Sequence, residues 1–392
     1  GLENSLFFTN EETGGSSGQP AGYVWALNVY GDDIWALPDL GRGGWENVET
    51  IDTGRKDRVA IILADDTSPF SGMAAPMFLY VGDKDPSGDI PAQNGLRNGK
   101  LMVLVCEDGT VTNPTHFNTA GTVDCEWRGI DNTKNPDESQ WSEDGSTGYD
   151  EYGYPSQRNL WMQATALKAF GFSRPEDVHR NPNDPTEIVL ASTGVDTYLN
   201  GVDTFGTLYT IKTDFSKPVI KATMTILYDG NADFWRSIRS PDNLDWATDG
   251  WIYVQEDKAE DDTLDGELLW CNPNQQCNAR NRKEASIYRI NPANPREITQ
   301  VAEIDRSRVF DGSIGNPDAA VDNLSADGGE WETSGIIDVS LLFSRAPGTL
   351  FLFDVQAHGI RSQDSFNPAS RITNTDLVEG GQLLWLCKGS CP

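Results

Sequence analysis

Gly99-Lys100-Leu101-Met102-Val103-Leu104 sets a pattern: a small residue, a gap, then alternating apolar positions. Alternation with period two marks a β-strand. The pattern returns as Gly22-Tyr23-Val24-Trp25-Ala26-Leu27 and Gly206-Thr207-Leu208-Tyr209-Thr210-Ile211. It returns again as Ala285-Ser286-Ile287-Tyr288-Arg289-Ile290 and Gly381-Gln382-Leu383-Leu384-Trp385-Leu386. With Tyr23, Leu101, Leu208, Ile287 and Leu383 taken as equivalent, the steps are 78, 107, 79 and 96 residues. A propeller blade takes about 40 to 50 residues, so each step suits one or two blades with insertions. The expected fold is all-β: a β-propeller of about six blades (five or six), with long disulfide-pinned loop insertions. A β-sandwich is the main rival.

The 38 glycines and 21 prolines are spread along the chain and suit many short strands joined by tight turns. One convincing helix is expected, Trp161 to Phe170, closed by Gly171. Polar insertions rich in Asp, Asn and Gly, at 110 to 160 and 258 to 284, read as surface loops. No Pro/Ser-rich linker divides two composition regimes, so residues 1–392 are read as a single domain. The chain opens at Gly1 without Met, as a processed or partial product does. No run of 18 apolar residues exists to span a membrane as a helix.

Six cysteines fall into three local pairs: Cys106 with Cys125, Cys271 with Cys277, and Cys387 with Cys391. None has the Cys-x-x-Cys spacing of a zinc site, so local disulfides in an exported protein are the expectation. That places the chain in an extracellular or periplasmic setting. Formal net charge is -30, from 60 acidic and 30 basic residues. Such a chain has no general basic surface for nucleic acid and is repelled by anionic membranes. Divalent cations fit better, although acidity also serves simple solubility.

The acidic residues are not scattered evenly. Phe7-Phe8-Thr9-Asn10 runs into Glu11-Glu12, Ile61 to Ala64 into Asp65-Asp66, and Trp251 to Gln255 into Glu256-Asp257. Carboxylates at the inner ends of buried strands are costly unless neutralised, and a hard cation neutralises several at once. Asp354, Gln356 and His358 alternate after Phe351-Leu352-Phe353 and so share one strand face. Arg174-Pro175-Glu176-Asp177 puts a guanidinium beside two carboxylates, as a surface ion pair or an anion and metal site. Pro241-Asp242-Asn243 reads equally as turn chemistry and as calcium ligands. Asp83, Asp85, Ser87 and Asp89 copy the first half of a calcium loop, without the closing Glu.

In order along the chain stand Thr9-Asn10-Glu11-Glu12, Arg174-Pro175-Glu176-Asp177, Pro241-Asp242-Asn243-Leu244 and Gln255-Glu256-Asp257. Trp331-Glu332-Thr333-Ser334-Gly335, Asp354-Val355-Gln356-Ala357-His358 and Leu377-Val378-Glu379-Gly380-Gly381-Gln382 follow. This series resembles the PhoX-type alkaline phosphatases and their relatives. The resemblance implies an exported six-bladed propeller with calcium and iron in its central channel, hydrolysing phosphomonoesters. It implies metal ligation by Glu11, Glu12, Glu176, Glu256 and Glu332, joined by Asp177, Asp242, Asn243, Asp257 and Gln356. Arg174 would then contact phosphate oxygens, and Asp354 and His358 would complete the cluster or move protons.

Two motifs depart from the family. Asn10 stands where the family has a Cys linked to iron; an amide is a poor iron(III) ligand and an acceptable calcium one. Gln356-Ala357-His358 stands where the phosphatases have Gln-His-Pro. The family pattern also implies an upstream part before Gly1. Asp65-Asp66 has no counterpart in it and reads as a plain turn. The expected function is a secreted metal-dependent phosphomonoesterase acting on small phosphate esters. The alternative is a non-catalytic calcium-stabilised propeller, self-assembling as a surface-layer, filament or other extracellular structural component.

Overall fold

The computed structural model describes residues 1–13, 21–66, 70, 74–116, 121–195, 197, 201–233, 238–257, 285–304, 331–361 and 377–391, with backbone alone at 233, 357–361 and 377–380. The chain is all-β, with the β-propeller fold. Its contacts divide into two compact units, Gly1–Asn231 and Ala232–Pro392.

The first unit opens with β1 (Leu6–Asn10), β2 (Val24–Asn28) and β3 (Ile34–Ala36), paired in that order. A second antiparallel run comprises β4 (Trp45–Ile51), β5 (Arg58–Asp65), β7 (Phe78–Asp83), β8 (Lys100–Cys106) and β9 (Thr122–Ile130). The two-residue β6 (Ala75–Pro76) pairs with β10 (Gly171–Phe172). The third run is β11 (Pro175–Asn181), β12 (Asp184–Ser192), β13 (Thr207–Asp214) and β14 (Lys221–Asp229). Pairing of β14 with β9 merges the second and third runs into one nine-stranded sheet. Its two end strands, β4 and β11, approach each other: Asn47 bonds Asp177, and an Arg180 guanidinium N–H donates to Thr50 O at 3.1 Å. The sheet is thus nearly closed on itself.

Strand alternation builds two cores at once. In β5, Val59, Ile61 and Leu63 enter one cluster with Trp45, Leu101, Leu160 and Trp161. Ala60, Ile62 and Ala64 enter another with Val178, Leu190, Tyr209 and Met224. β7 and β8 divide in the same way, Phe78 and Tyr80 to the first and Leu79 and Val81 to the second. A strand covered on both faces reads as a continuous apolar run, as Val59 to Ala64 does. Each Val, Ile or Leu side chain so covered contributes about 1.5–3 kcal/mol on burial. The repeat's small residue has a packing reason at Gly99, where a Cβ would collide with the Tyr80 ring.

The second unit contains the four-stranded meander β15 (Pro241–Trp246), β16 (Ile252–Glu256), β17 (Ser286–Asn291) and β18 (Asn294–Glu303). The three-stranded sheet β19 (Trp331–Asp338), β20 (Leu350–Arg361) and β21 (Leu377–Cys387) follows. Tyr253, Ile287, Ile336, Phe351, Phe353 and Val355 form its core, with the Tyr253 and Phe351 rings 4.1 Å apart. The five copies of the repeated pattern fall in β2, β8, β13, β17 and β21, one in each antiparallel run.

Two expectations need correction. The helix is α2 (Gln157–Ala166), after the short α1 (Ile90–Gln93). It starts four residues early because Ser156 Oγ caps the Asn159 N–H at 3.4 Å. It stops before Lys168, which takes a left-handed conformation, rather than at Gly171. The 110–160 insertion is not loop throughout. Its Val123, Cys125 and Trp127 alternate inward along β9 and belong to the second core.

Two of the three expected disulfides are present. Cys106 and Cys125 are bonded across the β8–β9 pair, and Cys387 is bonded to Cys391. The third expected disulfide, between Cys271 and Cys277, is not among the bonds described. Cys271 lies outside the described residues, and Cys277 does too, as does the whole 258–284 insertion that holds them.

The Cys106–Cys125 bond, with its sequence separation of 19, should carry part of this unit's stability. Cys106→Ser with Cys125→Ser is expected to cost about 2–4 kcal/mol of unfolding free energy. Urea denaturation of the paired variant against the parent reads it directly, and an unchanged midpoint would assign the bond no stabilising role.

Candidate functional site

In the first unit the ends of β1, β4, β5 and β11 gather polar groups. The chain leaving β1 bridges Gly44 through Glu12, and Asp66 N donates to Gly44 O at 3.0 Å. Glu12 and Asp66 therefore flank the entry to β4. Glu46, two residues beyond Gly44, completes the set. One carboxylate oxygen from each of Glu12, Glu46 and Asp66 lies within 4.8 Å of the others. Burial raises the Glu12 carboxyl above its ordinary range, and the Asp66 charge adds to this; Glu46 and Arg174 pull the other way. Glu11 faces elsewhere and accepts the Trp25 indole N–H at 2.6 Å.

Arg174 ties β11 to this cluster. Its Nε donates to Asp66 Oδ1 at 3.0 Å, and an Nη pairs with Glu176. The Arg174 side chain keeps 30% of its surface in solvent, while Glu176 is buried. Arg174 sits at φ +58, a conformation uncommon outside glycine and recurrent at functional sites. A register shift between Pro175 and Val178 then turns Glu176 and Asp177 out of simple strand alternation.

The second unit repeats this device. Ser240 sits at φ +43 before Pro241, and the register shifts between Pro241 and Leu244, re-aiming Asp242 and Asn243. Thr193 N donates to Arg174 O in one unit, and Asp257 N to Ser240 O in the other. The side chains are used differently. Glu256 is fully buried and accepts the Arg239 N–H at 2.9 Å and the Ser286 N–H at 3.1 Å. Asn243 Oδ1 accepts Ser334 Oγ–H and Gly335 N–H, each at 2.6 Å. Gln356 donates to Ser334 Oγ at 3.1 Å. Glu332, Asp242 and Asp257 are buried. Asp354 is half-buried, and that burial raises its carboxyl. His358 is on β20, but its side chain lies outside the described residues.

Asp83, Asp85, Ser87 and Asp89 are engaged individually. Asp83 pairs with Arg58 at 2.7 Å, and Asp85 accepts from Ser87. Asp89 caps α1 through Ala92 N at 2.9 Å and meets Arg97 at 3.3 Å. Asp65-Asp66 is not a plain turn. Asp65 ends β5, fully buried, and accepts Gly44 N–H, Gln157 Nε2–H and Trp161 Nε1–H. Asp66 turns the opposite way, into the cluster. Glu46 escaped the sequence reading because it belongs to no acidic pair and no motif.

All three clustered carboxylates offer oxygen, the donor type of calcium and magnesium sites. Asn10 lies beside Glu46, its Nδ2 donating to Glu46 O at 3.3 Å, and its buried Oδ1 has no hydrogen-bond partner among the described residues. The group fits a hard divalent cation. Among the described residues it holds neither imidazole nor thiolate, the softer donors that iron sites use.

No protein-family model matches this chain, and no curated protein matches it. Among solved structures it is similar to Pseudomonas fluorescens PhoX in complex with vanadate, a transition state analogue. The TM-score is 0.52 at 13% identity, over 93% of this chain. The match covers 57% of the PhoX chain. At that identity the likeness shows the shared fold alone.

Behind Arg174, Ser173 Oγ donates to Asp203 O at 3.2 Å. The Asp203 carboxyl is fully buried and accepts Thr207 Oγ1–H at 3.1 Å and Asn231 Nδ2–H at 2.7 Å. Burial pushes it up to about 7. The native state then holds more protons than the unfolded chain between about pH 4 and 7, so Asp203 makes stability fall as pH rises through that window. Asp203→Asn should remove up to about 1.4 kcal/mol per pH unit of that slope. Urea unfolding of both proteins at several pH values measures it; identical slopes would show that Asp203 does not titrate there.

Proposed function

We propose that this chain is an exported, calcium-dependent phosphomonoesterase acting on small phosphate esters, and that residues 1–392 work as one domain. The observation carrying this reading is the Glu12–Glu46–Asp66 group with Arg174 bound to its edge through Asp66. Glu12, Glu46 and Asp66 would hold the cation, with the Asn10 amide oxygen as a neutral fourth ligand. Bound there, calcium would supply positive charge against the phosphoryl oxygens. Arg174 presents a guanidinium whose planar fork matches two phosphate oxygens. Release from Asp66 or Glu176 would free its donors for the ester. Glu176 and Asp177 orient that arginine and the adjoining strand. In the second unit, Glu332, Asp242, Asp257, Asp354 and Gln356 are proposed as further oxygen ligands, with Asp354 and His358 as proton carriers. Glu256 and Asn243 take supporting parts, since backbone N–H groups already occupy their oxygens. Glu11 is proposed as support for the first ligand strand through Trp25.

A second reading is a calcium-stabilised propeller without turnover, serving as an extracellular structural component. Asn10 favours it, because the amide takes the place of an iron-linking thiolate in the resembling family. Iron is accordingly the weaker part of the cofactor proposal.

Hydrolysis of p-nitrophenyl phosphate by chelator-stripped, calcium-reloaded protein separates the two. Turnover is expected to vanish with chelator and return with calcium. Asp66→Asn and Arg174→Ala should each lower kcat/KM by about 100-fold, as lost transition-state electrostatics do. A calcium-raised melting temperature without turnover, with or without added iron, would establish the structural reading instead.

A further inference from the structure

Among the described residues, basic side chains outnumber acidic ones around one cavity. A cavity of about 570 Å³ in the first unit is lined by Arg58, Lys84, Arg97, Lys100 and Lys217, against two carboxylates, Asp83 and Asp85. It shares no lining residue with the Glu12–Glu46–Asp66 group. Three of its cations are already engaged: Arg58 by Asp83, Lys84 by Glu3 and Gly1 O, and Arg97 by Asp89. Lys100 and Lys217 are exposed and make no ion pair among the described residues. Lys217 shares a field with Asp214, whose carboxylate is occupied by Ser216. The floor is apolar: Met102, Phe215 and Ile220 are partly buried against the core and line the cavity.

The contrast with the larger cavity beside Cys125, about 1370 Å³, is informative. That one also carries four cations, but every one has a carboxylate: Arg55 with Asp57, Arg128 with Asp108 and Glu126, Lys212 with Asp184, Lys221 with Glu126. Its charges are spent within the protein. Those of Lys100 and Lys217 are not. Ligand pockets run from about 300 to 1000 Å³ and combine an apolar floor with a few directed polar groups. In a chain of net charge -30, a pocket lined by two lysines outside any described ion pair is a local attractor for anions.

We propose that this cavity is a binding site for an amphipathic organic anion: an apolar ring system seated on Met102, Phe215 and Ile220, with an acidic head held by Lys100 and Lys217.

Naphthalene-2-sulfonate is a suitable probe, since its head is charged at every working pH and is not a phosphate. Isothermal titration calorimetry on the full chain should show saturable binding that weakens with added salt. Lys100→Glu with Lys217→Glu should weaken it about tenfold or more, as loss of charge-assisted contacts does. Lys100→Met with Lys217→Met, which keeps the apolar stems, should weaken it in the same direction, so a fold defect of the reversed pair leaves a second reading. Neutral 2-naphthalenemethanol should bind far more weakly. Asp66→Asn with Arg174→Ala should bind the probe as the parent does, which separates this site from the one proposed for phosphate esters. Absence of saturable binding, binding by both lysine variants equal to the parent's, or loss in the Asp66 and Arg174 variant instead would overturn the proposal.

Discussion

Everything in the first unit depends on strands that must be apolar on both faces. β5 serves one core with Val59, Ile61 and Leu63 and another with Ala60, Ile62 and Ala64. No side of such a strand is left for charge. Polar chemistry is displaced to the strand ends, where backbone leaves the sheet and donors become free. This is why the acidic pairs sit where they do. It is also why Glu12, Glu46, Asp66 and Arg174, which are far apart in sequence, meet: each lies at or near the end of a strand within one packed stack.

At those ends, local geometry decides what a carboxylate becomes. Asp65 and Asp66 are neighbours with opposite fates. Asp65 points inward to three N–H donors from Gly44, Gln157 and Trp161, and burial still pushes its carboxyl up to about 7. Asp66, one residue on, points to Glu12 and Arg174. A period of two assigns neighbours to opposite sides. In this acidic pair one member is spent on the protein's own donors and the other faces the carboxylate group, and composition cannot say which is which.

The architecture was legible because it is written in alternation. The recurring pattern found one strand in every antiparallel run, and the proximity of Cys106 and Cys125 matched a cross-strand pair. Arg174-Pro175-Glu176-Asp177 stood out by its chemistry, and the structure adds a left-handed arginine and a bulge behind it. The rest was hidden for physical reasons. Glu46 is a single acid inside Trp45-Glu46-Asn47-Val48, with nothing local to mark it; only Gly44, wedged between Glu12 and Asp66, brings it in. The strand Thr122–Ile130 was masked by the polar residues on its outer face. At the half-loop, sequence shows the oxygens of Asp83 to Asp89, and the structure adds the arginines and lysines folded against them.

The two units show how far one backbone device can diverge in chemistry. A left-handed residue, a proline and a bulge present Glu176-Asp177 in one and Asp242-Asn243 in the other. In the first, a guanidinium with solvent access stands beside a group of crowded carboxylates. In the second, the corresponding left-handed residue is Ser240, and the facing Glu256 is consumed by two backbone N–H groups. A carboxylate already saturated by amide donors has little left to offer a cation, whereas carboxylates crowded against one another are stabilised by gaining one. By the number of protein donors already committed to their oxygens, Glu12 and Asp66 are the more available acids and Glu256 the less.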